Sequence, residues 1–208
     1  MAEQVGKHAQ ELAREANGDS SPIPEIKIEG HPDTSFPYIP SHLEYIIGEL
    51  FRNSIQATIE RHASSPDLPP IRVLICHAPH HVIFRFCDEG GGVPADELPH
   101  LWSFSKGPRP QARLANFSRV PKMAATLQEL RKNSHTHSSQ ESHDNSLSRL
   151  ASRPPNLRLG MGLPMSRVYA EYWAGSLELH SLEGYGTDVF LQVSKLGNKI
   201  EQLNLDGV

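Results

Sequence analysis

The chain lacks several features that would place it in a broad class of proteins. Its 208 residues contain only two cysteines, Cys76 and Cys87, which favours reduced thiols over a disulfide framework. No stretch approaches the roughly 20 consecutive apolar residues of a membrane span. None of the twelve histidines has the spacing with cysteines or carboxylates that is typical of a zinc site. These gaps argue against a disulfide scaffold, a membrane-spanning protein and a structural zinc domain.

Positive charge is scarce outside one segment. The formal net charge is −4, and residues 107–157 hold eight Lys and Arg against three Asp and Glu, so the rest of the chain carries −9. A general nucleic-acid coat needs a broad basic face. The charge pattern therefore argues against that function and allows at most one basic loop near an anionic ligand.

The periodicity of the apolar residues predicts an α+β fold with one main domain. The order of elements indicates a sandwich of helices on one face of a mixed sheet. Residues 107–157 lose this periodicity and are expected to form a partly disordered insert, in which only Lys122–Lys132 has helical spacing. The predicted elements are helices at Glu3–Ala16, Ser41–His62, Pro94–Trp102 and from Gly160–Pro164 to about Trp173, and strands at Glu25–Glu29, Ile71–His77, Val82–Cys87, Ser176–Ser181 and Thr187–Val193.

A carboxylate followed by glycines ends the second strand of the predicted hairpin. The apolar run Val82–Cys87 stops at Asp88, and Gly90 and Gly92 then allow the backbone to approach a ligand closely. A carboxylate accepts a hydrogen bond where an exocyclic amine, such as that of adenine, donates one. A plain hairpin turn with an incidental acid explains the same residues, so other segments have to decide.

A predicted helix brings an acid and an amide to one stripe. Glu49 and Asn53 are four residues apart and therefore project from the same side. They could supply a general base and an oxygen ligand for Mg²⁺. A solvated helix face accounts for the pair as well.

Two later segments contain residue types that suit a nucleotide. Gly160 and Gly162 precede a helix, whose free N–H groups could hold phosphate oxygens. Neither a P-loop lysine motif nor a complete GxGxxG is present, which argues against a P-loop or Rossmann site. Thr187 could support Asp88 through its hydroxyl or a bound water, or be an ordinary strand threonine.

The order of these segments resembles the GHKL ATPase superfamily, whose N, G1 and G2 boxes form an ATP site under a mobile lid. The resemblance implies a GHKL-type sandwich with its long ATP lid at residues 107–157. Longer stretches look like the mitochondrial α-ketoacid dehydrogenase kinases, the branched-chain and pyruvate dehydrogenase kinases. These stretches are Phe36–Pro40, Glu49–Ala57, Asp88–Pro94 and Gly162–Asp188.

The resemblance also implies roles for individual residues. Glu49 would polarise the hydroxyl of the incoming serine, and Asn53 would hold Mg²⁺ against the phosphates of ATP. Asp88 would bind adenine, with Thr187 behind it. Further contacts with ATP are implied for residues in the boxes and before the lid, namely Arg52, Gly90, Gly92, Ser105, Gly160, Met161, Gly162 and Leu163.

The implied activity is that of a protein-serine/threonine kinase acting on the E1 subunit of a dehydrogenase complex in the mitochondrial matrix. Tyr45 stands where the pyruvate members usually have a His, which favours the branched-chain enzyme. Arg158 replaces the usual first glycine of the G2 box, and Ser103–Lys106 lacks the usual Ser-Thr or Thr-Thr pair. A regulatory nucleotide-binding fragment without kinase activity stays open. A two-component histidine kinase ranks lower, because no phosphoacceptor helix is visible.

The resemblance suggests a division of the chain into three parts. Residues 1–20 would be a terminal helix left from an N-terminal helical-bundle domain, 21–196 the ATP-binding catalytic domain, and 197–208 a tail. In these kinases the helical bundle binds the lipoyl domain of E2. We therefore expect the chain to be the nucleotide-binding half of such a kinase, with a homodimer as one arrangement, and Met1–Lys7 does not have the pattern of a signal or transit peptide.

Overall fold

Helices pack on one face of a five-stranded mixed sheet, as the predicted α+β class requires. The structure, a computed structural model, describes residues 1–18, 21–104 and 159–195. The predicted order of helices and strands is confirmed for these residues. The elements are α1 (Ala2–Asn17), β1 (Ile26–Gly30), α2 (Pro40–Arg61), β2 (Ile71–His77), β3 (His81–Asp88), a short 3₁₀ helix (Leu98–His100), α3 (Gly162–Tyr172), β4 (Ser176–Leu182) and β5 (Gly186–Ser194).

The strands lie in the order β1-β2-β3-β5-β4. β1 and β2 are parallel because α2 crosses between them, whereas the other neighbouring pairs are antiparallel. β5, from the end of the described chain, is therefore inserted between β3 and β4. In this register Asp88, the last residue of β3, lies opposite Thr187 near the start of β5.

The alternation of side chains along β3 determines where Asp88 points. Val82, Phe84 and Phe86 are buried against the helices, and Asp88 is the next residue in this period-two series. Phe86 meets Phe51 of α2 edge to face, with ring centroids 5.2 Å apart. The carboxylate thus takes the last inward position of the strand, where an apolar residue would otherwise stand.

The first helix packs into the same core as α2. Ala9 and Ala13 are buried, and a Cβ on Gly6 would lie 3.1 Å from Ile26 and 3.4 Å from Phe51. Such close contact explains why small residues line this face of α1. The division of the chain at residue 20 stays a proposal, but α1 is no loose extension in this structure.

One predicted element has a different form. Residues Pro94–Trp102 were expected to make a helix, yet only Leu98–His100 is helical, as a single 3₁₀ turn. Pro99 has no N–H to donate, and the N–H of Glu97 already bonds the carbonyl of Pro94 at 3.0 Å in a turn. The short helix predicted in this segment is therefore present only as this single turn.

Several predictions concern residues outside the described ranges. They are the 107–157 lid with its helix at Lys122–Lys132, the contact from Ser105, the substitution at Arg158 and the tail 197–208. Of the helices that are described, none combines the length and the apolar character needed to cross a membrane.

Both cysteines are free thiols, as the reduced interpretation expects. They belong to neighbouring strands, but the register places Cys76 opposite Ile83 and Cys87 opposite Arg72. The two side chains are therefore four positions apart along the hairpin, or about 13 Å at the usual strand rise, well beyond the reach of a disulfide.

Candidate functional site

Asp88 forms the best-defined part of the candidate site. Its side chain is buried, with 4% of the residue exposed. Its Oδ2 accepts hydrogen bonds from the hydroxyls of Ser54 at 2.8 Å and Thr187 at 2.6 Å, and its Oδ1 accepts one from the N–H of Gly90 at 3.0 Å. A buried carboxylate needs such donors to offset the loss of water. The expected proximity of Thr187 and Asp88 is thus present as a direct contact.

Two glycines keep the chain close to Asp88, but they do so through contacts within the protein. A Cβ on Gly90 would lie 2.5 Å from the Cβ of Ala57 in α2. Gly92 has a positive φ of 74°, and a Cβ there would lie 2.4 Å from the carbonyl of Leu182. These glycines bring the loop against α2 and the β4–β5 hairpin, and their predicted contact with a nucleotide stays a prediction.

The glycine loop is hydrogen-bonded to the turn that joins β4 and β5. The N–H of Gly91 donates to the carbonyl of Tyr185 at 3.0 Å, and the N–H of Gly184 donates back to Gly91 at 2.8 Å. The N–H of Val93 donates to the hydroxyl of Ser181 at 2.6 Å. The two chain segments therefore form one wall beside Asp88.

Three predicted site residues lie on α2 in different surroundings: the catalytic Glu49, and Arg52 and Asn53, which were predicted to contact ATP. Glu49 is 1% exposed and Arg52 is 4% exposed, and the guanidinium of Arg52 donates to Oε1 of Glu49. Asn53 is exposed at the helix surface. The helix thus brings Glu49 and Arg52 together in the interior and presents Asn53 to solvent. The predicted nucleotide contact of Arg52 stays a prediction, because its guanidinium is engaged by Glu49 in this structure.

The G2 segment enters α3 from a left-handed turn. Gly160 has φ 69°, a conformation that favours glycine, and Met161 is the N-cap of a helix that begins at Gly162. Backbone N–H groups in the first turn of a helix have no acceptor within it, so this end can bind an anion. Buried Leu159, just before the turn, packs with Tyr45 of α2. That contact ties the G2 segment, with the predicted residues Met161 and Leu163, to the helix that contains Glu49.

Sequence reasoning missed one residue of the site, Ser54. It follows Asn53 directly but is only 3% exposed, and its neighbours at helical spacing, Leu50 and Thr58, are buried too. A serine on the buried face of a helix needs a hydrogen-bond partner, which is the signal that could have identified it. The partner, Asp88, could not be named without the packing of α2 on β3.

The residues with shifted pKa values near this end of the sheet lie on its other face. The pKa of Asp188 is lowered mainly by hydrogen bonds from Arg85, whose Nε lies 2.9 Å from Oδ1. Burial is the main reason that the pKa of the Cys87 thiol is raised. Cys87 precedes Asp88 on β3 and therefore points to the opposite face, and Asp188 lies across from Cys87 on β5. Both residues thus lie outside the candidate site. Among the described residues, no three His, Cys, Asp or Glu side chains gather as a metal-binding group.

Comparison with known proteins identifies one matching family and several similar kinases. The sequence pattern of the family described as histidine kinase-, DNA gyrase B- and HSP90-like ATPase matches residues 38–196. The mitochondrial [pyruvate dehydrogenase (acetyl-transferring)] kinase 2 of Saccharomyces cerevisiae is 32% identical over 99% of this chain and 48% of its own length. The mitochondrial [pyruvate dehydrogenase (acetyl-transferring)] kinase of Arabidopsis thaliana is 35% identical over 93% of the chain and 48% of its own length. Isozyme 1 of Homo sapiens is 33% identical over 80% of the chain and 30% of its own length. The chain thus spans about half the length, or less, of these curated relatives.

Proposed function

The chain belongs to the family of histidine kinase-, DNA gyrase B- and HSP90-like ATPases, and on that premise we propose that it binds Mg-ATP and transfers a phosphoryl group to a protein serine. The observation that carries the proposal is the buried Asp88 carboxylate at the end of β3, which has three internal donors and capacity for one more. That capacity fits a single amine hydrogen of adenine.

The other residues suit the remainder of ATP. The exposed amide of Asn53 is a suitable oxygen ligand for Mg²⁺, which usually keeps several waters and needs few protein ligands. Gly160, Gly162 and the first turn of α3 offer N–H groups to phosphate oxygens. Bound Mg²⁺ would neutralise phosphate charge. The residues of this chain contribute mainly by positioning, which phosphoryl transfer requires.

Glu49 is the proposed catalytic residue. Its carboxylate accepts the proton of the serine hydroxyl as the serine oxygen bonds to the γ-phosphorus and the bond to the β–γ bridging oxygen breaks, which releases ADP. Arg52 fixes the orientation of this carboxylate inside the protein. The proposal therefore requires that the enclosed Glu49 carboxylate become accessible to the serine hydroxyl when the substrate binds.

The proposed substrate is the E1 subunit of a mitochondrial α-ketoacid dehydrogenase complex. Its support is the names of the similar proteins, which are mitochondrial kinases of pyruvate dehydrogenase. Tyr45 favours a branched-chain substrate instead, so both E1 subunits belong in the test. Location in the matrix, docking to the E2 lipoyl domain through an N-terminal helical bundle that ends in α1, and a homodimer are parts of the same proposal.

The test of kinase activity measures phosphoserine on each E1 subunit by mass spectrometry, for the chain alone and for the chain joined to a helical-bundle domain. Glu49→Gln should abolish phosphorylation, whereas Glu44→Gln, an exposed change on the same helix, should leave it intact. If neither E1 gains phosphoserine with the bundle present, the kinase proposal is wrong. Retained Mg-ADP binding would then favour a regulatory module.

Calorimetry tests the nucleotide site separately. Asp88→Asn should weaken the binding of Mg-ADP by about 30-fold or more, because a hydrogen bond to a charged acceptor is lost. Glu89→Gln is the matched control, since Glu89 is partly exposed and should scarcely matter. Equal affinity in the two variants would contradict the assignment of Asp88.

A further inference from the structure

Lys195 and His77 form a close pair at the end of β3 opposite to Asp88. Lys195 follows the last residue of β5, and His77 is the last residue of β2. Nζ of Lys195 lies 2.5 Å from Nε2 of His77 and donates to the carbonyl of Ala78 at 2.6 Å. The backbone N–H of Lys195 also donates to the carbonyl of His80 at 2.9 Å. The residue is therefore held against the β2–β3 loop by both its main chain and its side chain.

The contact between the two side chains determines which of them accepts the hydrogen bond. An ammonium group has three N–H donors and no lone pair, so Nε2 of His77 is the acceptor. The ring proton of the neutral imidazole is therefore on Nδ1. This arrangement places a base within hydrogen-bond reach of a nitrogen that can act as a nucleophile once it has lost a proton.

An open pocket lies beside His77. Its volume is about 440 Å³, and it is lined by residues 30–35, which follow β1, and by His77 itself. The ring of His31 meets that of His77 edge to face, with centroids 6.3 Å apart. The hydroxyls of Thr34 and Ser35 offer hydrogen bonds to a carbonyl or amide group of a small molecule. A small electrophile can therefore reach the pair from solvent.

The other lysines in the described ranges, Lys7 and Lys27, have different surroundings. Lys7 is exposed on α1. The ammonium of Lys27 lies 3.4 Å from the carboxylate of Glu25. Among the three described lysines, only Lys195 has a histidine nitrogen within hydrogen-bond distance of Nζ. A difference in reactivity is therefore expected at this one position.

We propose that Lys195 is a site of N-acylation by small acyl thioesters, with His77 as the base. The ammonium first loses one proton to solvent. The amine nitrogen then bonds to the carbonyl carbon of the thioester while Nε2 of His77 takes a second proton from it. The bond from that carbon to sulfur breaks with its electron pair on sulfur, and the imidazolium gives its proton to the thiolate. The products are an amide and a thiol.

Acylation would alter the link between β5 and the β2–β3 loop. An amide nitrogen has one N–H where the ammonium has three, so the acylated side chain can keep only one of its bonds to His77 and Ala78. The positive charge of Lys195 is lost at the same time. This inference goes beyond the proposed kinase activity and does not depend on it, because the pair and Asp88 are at opposite ends of β3.

The experiment incubates the full chain with S-acetyl-N-acetylcysteamine, a small acyl thioester, at neutral pH. Peptide mass spectrometry follows the acetylation of each lysine with time. Lys195 should react at least about 10-fold faster than Lys7. His77→Gln should lower the rate at Lys195 to that at Lys7, because a glutamine carbonyl accepts a hydrogen bond but does not take the proton. His80→Gln, an exposed change in the same loop, is the matched control and should leave the rate unchanged.

Three results would overturn the proposal. The first is an equal rate at Lys195 and Lys7 in the unaltered folded chain. The second is an unchanged rate at Lys195 in His77→Gln, or an equal loss in His80→Gln. The third needs no variant: in concentrated urea the advantage of Lys195 should vanish, and its persistence would show that the fold does not create it. Circular dichroism and the rate at Lys7 establish that each variant is folded.

Discussion

Arg52 donates to Glu49 one turn earlier on the same helix, and both side chains are almost fully enclosed, at 5% and 1% exposure. An ion pair at this depth loses hydration that the attraction between the charges has to offset. The pair holds the Glu49 carboxylate in one orientation on α2. The proposed role of Glu49 as a base requires such a fixed orientation.

Removing one partner of the Glu49–Arg52 ion pair should destabilise the fold, because the other partner is then a buried charge without a counter-ion. Arg52→Met should lower the free energy of unfolding by about 3 kcal/mol, because it leaves a buried carboxylate without its cation. Arg61→Met, at an exposed position on the same helix, should cost less than about 1 kcal/mol. Urea unfolding followed by circular dichroism measures both. Equal effects would show that the Glu49–Arg52 pair is not buried as described.

Gly186 should tolerate no side chain. A Cβ there would lie 1.9 Å from the carbonyl oxygen of Asp88, and backbone cannot move aside without disturbing the β3–β5 ladder. We expect Gly186→Ala to destabilise the fold by about 2 kcal/mol or more and to weaken Mg-ADP binding.

Gly184 is the matched position in the same turn. It has φ 82° but open space around its Cβ, so Gly184→Ala should cost only about 1 kcal/mol. Thermal unfolding with and without Mg-ADP compares the two variants. A Gly186→Ala variant that keeps full nucleotide binding would contradict the described packing.

The ion pair between Arg85 and Asp188, on the sheet face opposite to that of Asp88, should add a small pH-dependent contribution to the free energy of unfolding. The pKa of Asp188 in the folded chain lies below its ordinary value of 3.8, chiefly because Arg85 donates hydrogen bonds to it. A depressed acid pKa stabilises the fold above the unfolded value, and this contribution is lost as the pH falls through the folded value.

Asp188→Asn should therefore be less stable than the unaltered chain at pH 7, by under about 1 kcal/mol because the pair is partly exposed. The difference should shrink between about pH 5 and pH 2. Urea titrations across this range measure it. In an Arg85→Met background the Asp188 change should have almost no effect, and a persistent difference there would assign the stability to another partner.

The two thiols should differ in reactivity. Cys76 is exposed, whereas burial, followed by the charge of Asp188, raises the pKa of Cys87. Since the thiolate is the reactive form, we expect iodoacetamide at neutral pH to alkylate Cys87 at least about 10-fold more slowly than Cys76. Time-resolved mass spectrometry follows both sites, and Cys76→Ser should leave only the slow reaction. Equal rates would show that the partial burial of Cys87 does not suppress its reactivity.

Local patterns predicted the helices and strands well because the apolar periods are regular. The helix predicted to begin at Ser41 begins at Pro40, and the strand expected to end at Cys87 ends one residue later, at Asp88. The short helix predicted at Pro94–Trp102 is limited to the 3₁₀ turn Leu98–His100. Local periodicity does not show which of two competing hydrogen-bond patterns a proline-rich segment adopts.

The site was predictable only in part, for a different physical reason. The carboxylate at the end of β3 and the glycines after it are visible in the sequence, and so is Thr187. The use of Ser54 depends on how α2 lies across β3, and the space beside Gly90 is filled by Ala57, which no local pattern shows. Contacts between distant elements require the register of the whole sheet.

The hydrogen bond from Thr187 to Asp88 joins residues 99 positions apart in the chain. During synthesis, Asp88 leaves the ribosome long before its partner, and closing so long a loop is slow compared with forming the local β2–β3 hairpin. A nascent chain therefore lacks the contact between Thr187 and Asp88 until β5 joins the sheet. If the proposed nucleotide site is correct, ligand binding would stabilise only those molecules in which β5 has already been added.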